Sequence, residues 1–179
     1  MSKKRFRLNL VTDNEMYPGS DCEIIGEISD EKQEYTITLV RKGKDINNGY
    51  SMGVLKQDEV IIIYLDPFYQ DLLINKTDIA VALIYHEIGH VINGDFNGNG
   101  NPKENCALRT ALIQQGIVQP KELNADKYAA SIVGTKQMRK ALNYLLEYRK
   151  KNKTQVIFLN REAAELGIRE LELRINALK

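Results

Sequence analysis

Residues 77–92 read TDIAVALIYHEIGHVI, and this stretch contains both histidines of the 179-residue chain. The apolar run that begins at Ile79 predicts a buried helix, for which Thr77 is a suitable start. At about 100° per residue, His86 and His90 project from one side of this helix and most of the aliphatic side chains from the other. The sequence therefore predicts a helix with one face for a hydrophobic core and one for the two imidazoles.

The five residues from His86 to His90 form the pattern HExxH. Two imidazoles four residues apart on a helix can bind one zinc ion, and Glu87 is the residue type that activates water beside such an ion. Because the chain has no third histidine, a third protein ligand must be a carboxylate or a thiolate. A buried helix with two satisfied histidines is the alternative. The pattern favours a zinc hydrolase with one Zn2+ per chain.

Several acids that follow the pattern could supply the third ligand. Asp95 lies in a glycine-rich loop that could fold back, and Glu104 follows a proline at a helix start, where capping explains it. Glu122 and Asp126 lie four residues apart in a segment that begins with Pro120, so both carboxylates share one helical face. We expect Glu122 to bind zinc and Asp126 to accept a hydrogen bond from the free nitrogen of a ligand histidine.

The alternative for this pair is two solvated acids, balanced by the neighbouring Lys121 and Lys127. The small residues on both helices favour the zinc site over solvated acids. Ala125 and Ala129 flank the acidic face and would let its helix lie close to the histidine helix. Gly89 costs that helix about 1 kcal/mol relative to alanine, so we expect the close approach of another backbone there.

Composition excludes several classes of partner. The net charge is +1 with 27% charged residues, so neither nucleic acid nor a membrane is expected as a partner. Cys22 and Cys106 are too few to form a disulfide framework. The start, Met1 to Leu10, lacks the apolar region of a signal peptide, and no apolar run reaches the roughly 18 residues of a membrane span. We expect a cytoplasmic protein.

The order of patterns predicts one α+β domain over residues 1–179, with strands mainly in 1–66 and helices mainly in 78–179. Thr135 and Asn160 are expected to be N-caps of the last two helices. The predicted strands are Glu23–Ile28, Tyr35–Val40, Val60–Leu65 and, more weakly, Tyr50–Leu55. The predicted helices are Asp78–Asn93, Glu104–Gln115, Pro120–Val133, Lys136–Lys151 and Arg161–Leu178.

A glycine- and asparagine-rich stretch, Asn93–Pro102, follows the histidine helix. Its acidic and amide residues from Asp95 to Gly100 imitate the start of a calcium loop, but Cys106 stands where the bidentate glutamate should be. A turn-rich loop that closes the helix is the simpler interpretation, and a lid over a cleft is its functional version.

The two motifs, HExxH at His86–His90 and ExxxD at Glu122–Asp126, resemble the gluzincin metallopeptidases. Val91–Asp95 and Glu122–Ala130 are similar to the lineage of prenyl-protein proteases and heat-shock membrane proteases. The resemblance covers roughly Val60 to Ala130. It implies a minimal zincin-like fold, zinc on His86, His90 and Glu122, and Glu87 as general base. Unlike this chain, those relatives carry transmembrane helices.

These observations together predict a zinc-dependent endopeptidase that binds an extended polypeptide. We expect the substrate to add a strand along Val60–Leu65, because this run precedes the histidine helix and the resemblance makes it the wall of the cleft. Three residues are candidates for the group that stabilises the oxyanion: Tyr128, Arg139 and Tyr144. A catalytically silent interaction or regulatory module is the alternative, although an intact Glu87 argues against it. A regulator with a DNA-binding part lacks a supporting motif.

Overall fold

The computed structural model describes residues 6–16, 22–30, 36–42, 52–57, 59–95, 102–152 and 161–178. A five-stranded sheet precedes six helices along this part of the chain, which is the expected α+β class. The strands are β1 (Phe6–Met16), β2 (Cys22–Asp30), β3 (Thr36–Lys42), β4 (Met52–Gln57) and β5 (Val60–Leu65). The helices are α1 (Pro67–Asn75), α2 (Thr77–Ile92), α3 (Pro102–Gln114), α4 (Pro120–Val133), α5 (Thr135–Lys151) and α6 (Arg161–Ala177).

The strand order is β1-β2-β3-β5-β4, so the prediction that β5 is a free sheet edge was wrong. Ile63 of β5 lies opposite Leu39 of the parallel strand β3 on one side and Val54 of the antiparallel strand β4 on the other. The uninterrupted apolar run of β5 is typical of a strand buried on both faces. The edge strand next to β5 is β4, which packs against α2.

The sheet contributes one of its faces to the main core. Ile61, Ile63 and Leu65 of β5 are buried together with Ile37 and Leu39 of β3 in the same cluster as the inner side chains of the helices. The alternate residues of these strands point to the opposite face, where a smaller cluster forms around Cys22, Val40 and Ile62. The helices therefore pack on one side of a twisted sheet, and α2 lies between that sheet and the outer helices.

Helix α2 is buried along most of its length, from Ile79 through Tyr85 and on to His90. It packs against α1, α4, α5 and β4. A helix that is apolar on nearly all sides is stable only when neighbours surround it. The expected aliphatic face is buried at Val81, Ile84 and Ile88, whereas Ile92, at the end of the helix, is 40% exposed.

Two elements were missed by the sequence analysis. β1 alternates apolar and polar residues only from Phe6 to Leu10, and its second half is mainly polar, which hid its length. α1 begins at Pro67 and has nine residues, a short helix in the gap between the predicted strands and helices. The Asp66 carboxylate caps α1 by accepting a hydrogen bond from Tyr69 N at 3.1 Å. Thr135 is the first residue of α5, with Gly134 as the cap. Asn160 lies outside the described residues.

Each helix in the described part of the chain is too short or too polar to traverse a lipid bilayer.

Candidate metal centre

Two helices carry the candidate ligands. α2 presents His86 and His90 one turn apart, and α4 presents Glu122 and Asp126 one turn apart. Both imidazoles and Asp126 are buried, and the Glu122 side chain is 18% exposed. The crossing of α2 with α4 therefore decides whether a carboxylate can reach the imidazoles.

The close approach expected at Gly89 is present, and its partner is the backbone of α4. A Cβ atom added at Gly89 would lie 2.8 Å from Ala125 Cα and 3.0 Å from Ala125 O. Both distances are shorter than ordinary van der Waals contact, so only glycine permits this separation of the helices. Ala125 and Ala129 are fully buried, as their expected role in close packing requires. Two small residues thus set the distance between the acidic and the histidine face.

Three candidate ligand atoms converge at this crossing. The Nε2 atoms of His86 and His90 are 3.1 Å apart, and Glu122 oxygens lie 3.4 Å from the first and 3.7 Å from the second. One ligand atom from each residue lies within 4.8 Å of the others. Tetrahedral zinc with bonds of about 2.0–2.2 Å holds neighbouring ligand atoms roughly 3.3–3.6 Å apart. The spacing of these donors therefore fits a zinc ion.

The other nitrogen of each imidazole has a carboxylate partner. His86 Nδ1 lies 2.8 Å from Asp126 Oδ1, and His90 Nδ1 lies 2.8 Å from Asp95 Oδ2. An ionised carboxylate only accepts hydrogen bonds, so both imidazoles carry a proton on Nδ1. In the neutral ring this leaves a lone pair on each Nε2, near the Glu122 oxygens, and Arg174 Nη2 lies 3.3 Å from the Nε2 atom of His86. Two imidazole lone pairs beside a carboxylate form a donor set that suits a cation.

The charges of the cluster also fit a divalent metal. Glu122, Asp126 and Asp95 provide three negative charges, against the single positive charge of Arg174, which lies 3.2 Å from Glu122 and 2.6 Å from Asp126. These four residues leave a surplus of two negative charges, of which a protonated His86 would offset one. A largely buried surplus of charge is unfavourable unless a counter-charge is bound. A bound cation would supply that counter-charge.

Burial and neighbouring charges shift the pKa values of the cluster in different directions. Burial opposes ionisation of Glu122, but the hydrogen bond with His86 and the charge of Arg174 outweigh it and lower the pKa of Glu122. The pKa of Asp126 is also lowered: burial acts against this, and hydrogen bonds from Arg174 and His86 prevail. For His86, burial and Arg174 are outweighed by hydrogen bonds to Asp126 and Glu122, which raise its pKa.

Glu87 behaves differently from the other acids. Burial raises the pKa of its carboxyl group above the usual range, and the nearby charges of His86 and His90 offset this only in part. It is therefore a carboxylate with increased basicity within electrostatic reach of the two imidazoles. That property suits a group that takes up and returns a proton.

The rival acids do not join the three converging ligands. Asp95, considered as a third ligand, is instead the partner of His90 Nδ1. Glu104 belongs to α3, but its side chain lies outside the described part of the structure. Residues 96–101, the expected lid or ion-binding loop, also lie outside it. Glu122 is the acid that the fold brings to the Nε2 atoms. Asp126 occupies its expected place behind His86.

Sequence analysis missed Arg174 of α6, whose guanidinium group is buried between Glu122 and Asp126. Its position 48 residues beyond Asp126 gave no signal of a contact. Three residues were considered for the oxyanion. The Tyr128 side chain is partly buried on α4, Arg139 is exposed on α5, and the Tyr144 ring lies beneath Lys76 Nζ at 5.3 Å.

Comparison of the chain with models of known protein families, with curated proteins and with solved structures finds no match.

We expect Gly89→Ala to separate α2 from α4. The added methyl group would meet backbone atoms that cannot rotate away, and overpacking of this kind costs about 1–3 kcal/mol. The free energy of unfolding, measured by urea denaturation of the metal-free protein, should fall, and zinc affinity should fall with it. Gly167→Ala is the matched control, because its methyl group would meet only the terminal atoms of the Arg149 side chain. Equal stability of Gly89→Ala and the parent would contradict the packing argument.

Alanine variants of the acids should rank by their distance from the metal position. We expect Glu122→Ala to lose bound zinc most severely because it removes a ligand. Asp126→Ala and Asp95→Ala each free one imidazole to rotate and should weaken affinity about 10–100-fold. Glu147→Ala, on an exposed position of α5, serves as the control. Zinc is measured by elemental analysis and chelator competition. Unchanged zinc content in Glu122→Ala would exclude this ligand set.

Proposed function

We propose that this chain is a zinc-dependent metallopeptidase that hydrolyses peptide bonds, with His86, His90 and Glu122 as metal ligands and Glu87 as general base. The observation that carries the proposal is the convergence of two imidazole Nε2 atoms and one carboxylate, with each Nδ1 held by a second carboxylate. This arrangement is typical of metal ligands that outer carboxylates orient.

Zinc, when bound, supplies Lewis acidity, which polarises a carbonyl oxygen and lowers the pKa of water. Glu87 is proposed to take the proton from the attacking water and to deliver it to the nitrogen of the departing amine. The raised pKa of its carboxyl group supports both halves of that task, since the base must hold the proton between the two steps. A purely structural metal module has no use for an acid in this position.

The proposed substrate is a polypeptide bound in extended form along β4. β4 is the edge of the sheet next to α2, and β5 is occupied on both sides. Met52 and Val54 pack against the main core, so this edge strand is held in place by the same cluster as α2. An edge strand offers main-chain donors and acceptors to any sequence, which suits the recognition of peptides by their backbone.

We expect the zinc-loaded protein to cleave members of a broad peptide library and Glu87→Gln to retain zinc while losing hydrolysis. The amide is nearly isosteric with the acid but cannot accept the proton, a loss of about 10²–10⁴ in rate. Glu147→Gln on α5 is the control for an exposed glutamate. Removal of zinc with a chelator should abolish cleavage, and added zinc should restore it.

Turnover by Glu87→Gln at the parent rate would exclude Glu87 as the base. Failure of the zinc-loaded parent to cleave any peptide would instead favour an interaction or regulatory module that uses the same metal site. Absence of zinc from the purified parent, together with no uptake on titration, would reject the metal site itself.

Peptides that carry single backbone N-methyl groups test the proposed binding along β4. A strand paired at a sheet edge directs alternate N–H groups to its neighbour. We therefore expect kcat/KM to fall at every second position of a cleaved peptide and to change little at the positions between. Alternation is the decisive feature, and a uniform effect or no effect along the peptide would rule out strand addition.

A further inference from the structure

Helix α6 places a buried arginine beside the candidate ligands, with Nη2 3.3 Å from His86 Nε2. Arg174 is 8% exposed, and its Nε and Nη2 atoms donate to the two oxygens of Asp126 at 2.8 and 2.6 Å. Its Nη1 atom lies 3.2 Å from Glu122 Oε2. One rigid, planar cation thus contacts both acids that α4 directs toward α2.

The contact with Asp126 extends to the first histidine. Asp126 Oδ1 is shared between Arg174 Nη2 and His86 Nδ1, which lie 2.6 and 2.8 Å from it. Because Asp126 is completely buried, no water can replace either donor without a rearrangement of the core. The bidentate pairing with Arg174 fixes the plane of this carboxylate, and the carboxylate then fixes the rotation of the His86 ring.

The helix that carries Arg174 is anchored by further contacts on either side of this residue. One turn earlier, Glu170 of the same helix is buried and forms a bidentate ion pair with Arg109 of α3, in which Arg109 Nε donates to Glu170 Oε1 at 2.9 Å. Leu171 and Ile175 anchor α6 in the main core. The backbone that carries the guanidinium group is therefore fixed in the core.

We propose that Arg174 is a positioning residue, which orients Glu122 directly and orients His86 both through Asp126 and through Nη2, 3.1 Å from His86 Nδ1, so that the ligands are arranged before the metal binds. The inference rests on the proposed zinc site. Burial and the contacts with two carboxylates separate the guanidinium group from substrate, so it acts through the ligands. An ion pair that served only to hold α6 against α4 would affect stability and leave the metal affinity of the folded protein unchanged.

His90 provides an internal control for this role. Its Nδ1 atom is held by Asp95, which follows α2 in the chain, and not by Asp126. Since the chain contains only two histidines, the two Nδ1–H signals of the zinc-loaded protein can be assigned by NMR with His86 and His90 variants. Loss of Arg174 should alter the Nδ1–H signal of His86 and leave that of His90 unchanged.

The test compares Arg174→Met, Arg174→Lys and Arg109→Met with the parent by chelator competition, at a temperature where each variant is folded by circular dichroism. We expect Arg174→Met to weaken zinc binding about 10–100-fold, as loss of a partner that orients ligands does. Arg174→Lys should stay several-fold weaker than the parent, because a point charge lacks the bidentate fork. Arg109→Met breaks the neighbouring ion pair of α6 and should change affinity little.

In the zinc-loaded Arg174→Met variant, the His86 Nδ1–H signal should shift or broaden while the His90 signal is retained. Parent affinity with both signals unchanged would overturn the proposal. If Arg174→Met does not fold, the lysine variant decides: parent affinity with an unchanged His86 signal would show that charge alone suffices and would equally overturn it. If the parent chain binds no zinc, both the metal site and the role of Arg174 are rejected. If the parent and all variants bind zinc equally tightly, only the role of Arg174 is rejected.

Discussion

The backbone contact between Gly89 and Ala125 is the constraint on which the rest of the site depends. It lets α4 approach α2 more closely than any residue with a side chain at position 89 would allow. At this separation the Glu122 oxygens come within 3.4–3.7 Å of the imidazole Nε2 atoms. The glycine weakens the intrinsic stability of α2, and the burial of α2 among the sheet and three helices offsets that loss.

The second constraint is the balance of buried charge. Carboxylates and a guanidinium group lose strong hydration on burial, and they are tolerated only when hydrogen bonds and opposite charges replace the water. Asp126 satisfies this condition through Arg174 and His86, and Asp95 through His90. The same contacts that make the buried charges acceptable also hold each imidazole in one orientation. Stability and preorganisation of the candidate site thus have a common physical origin.

The position of β5 illustrates the limit of local patterns. An apolar strand just before the histidine helix is compatible with an edge that faces a cleft and with a central strand covered on both faces. The difference depends on where the chain goes between β3 and β5, and β4 returns to pair on the outer side of β5. The edge beside α2 therefore belongs to β4, a strand with a weaker pattern. Strand order is a long-range property that alternation within one strand cannot encode.

By itself, the sequence determined the helix that carries His86 and His90, the pairing of Glu122 with Asp126 on one face of α4, and the α+β order of elements. The first two depend on spacing within about one or two turns, where helical periodicity dictates which side chains are neighbours, and the third on the succession of strand and helix patterns along the chain. The tertiary structure decided which acid meets which nitrogen, because Asp95 and Glu122 are both chemically capable ligands. It alone brought Arg174 to the site from the far end of the chain. Contacts between residues distant in sequence arise from the packing of whole elements, and the local pattern around Arg174 resembles that of any amphipathic helix.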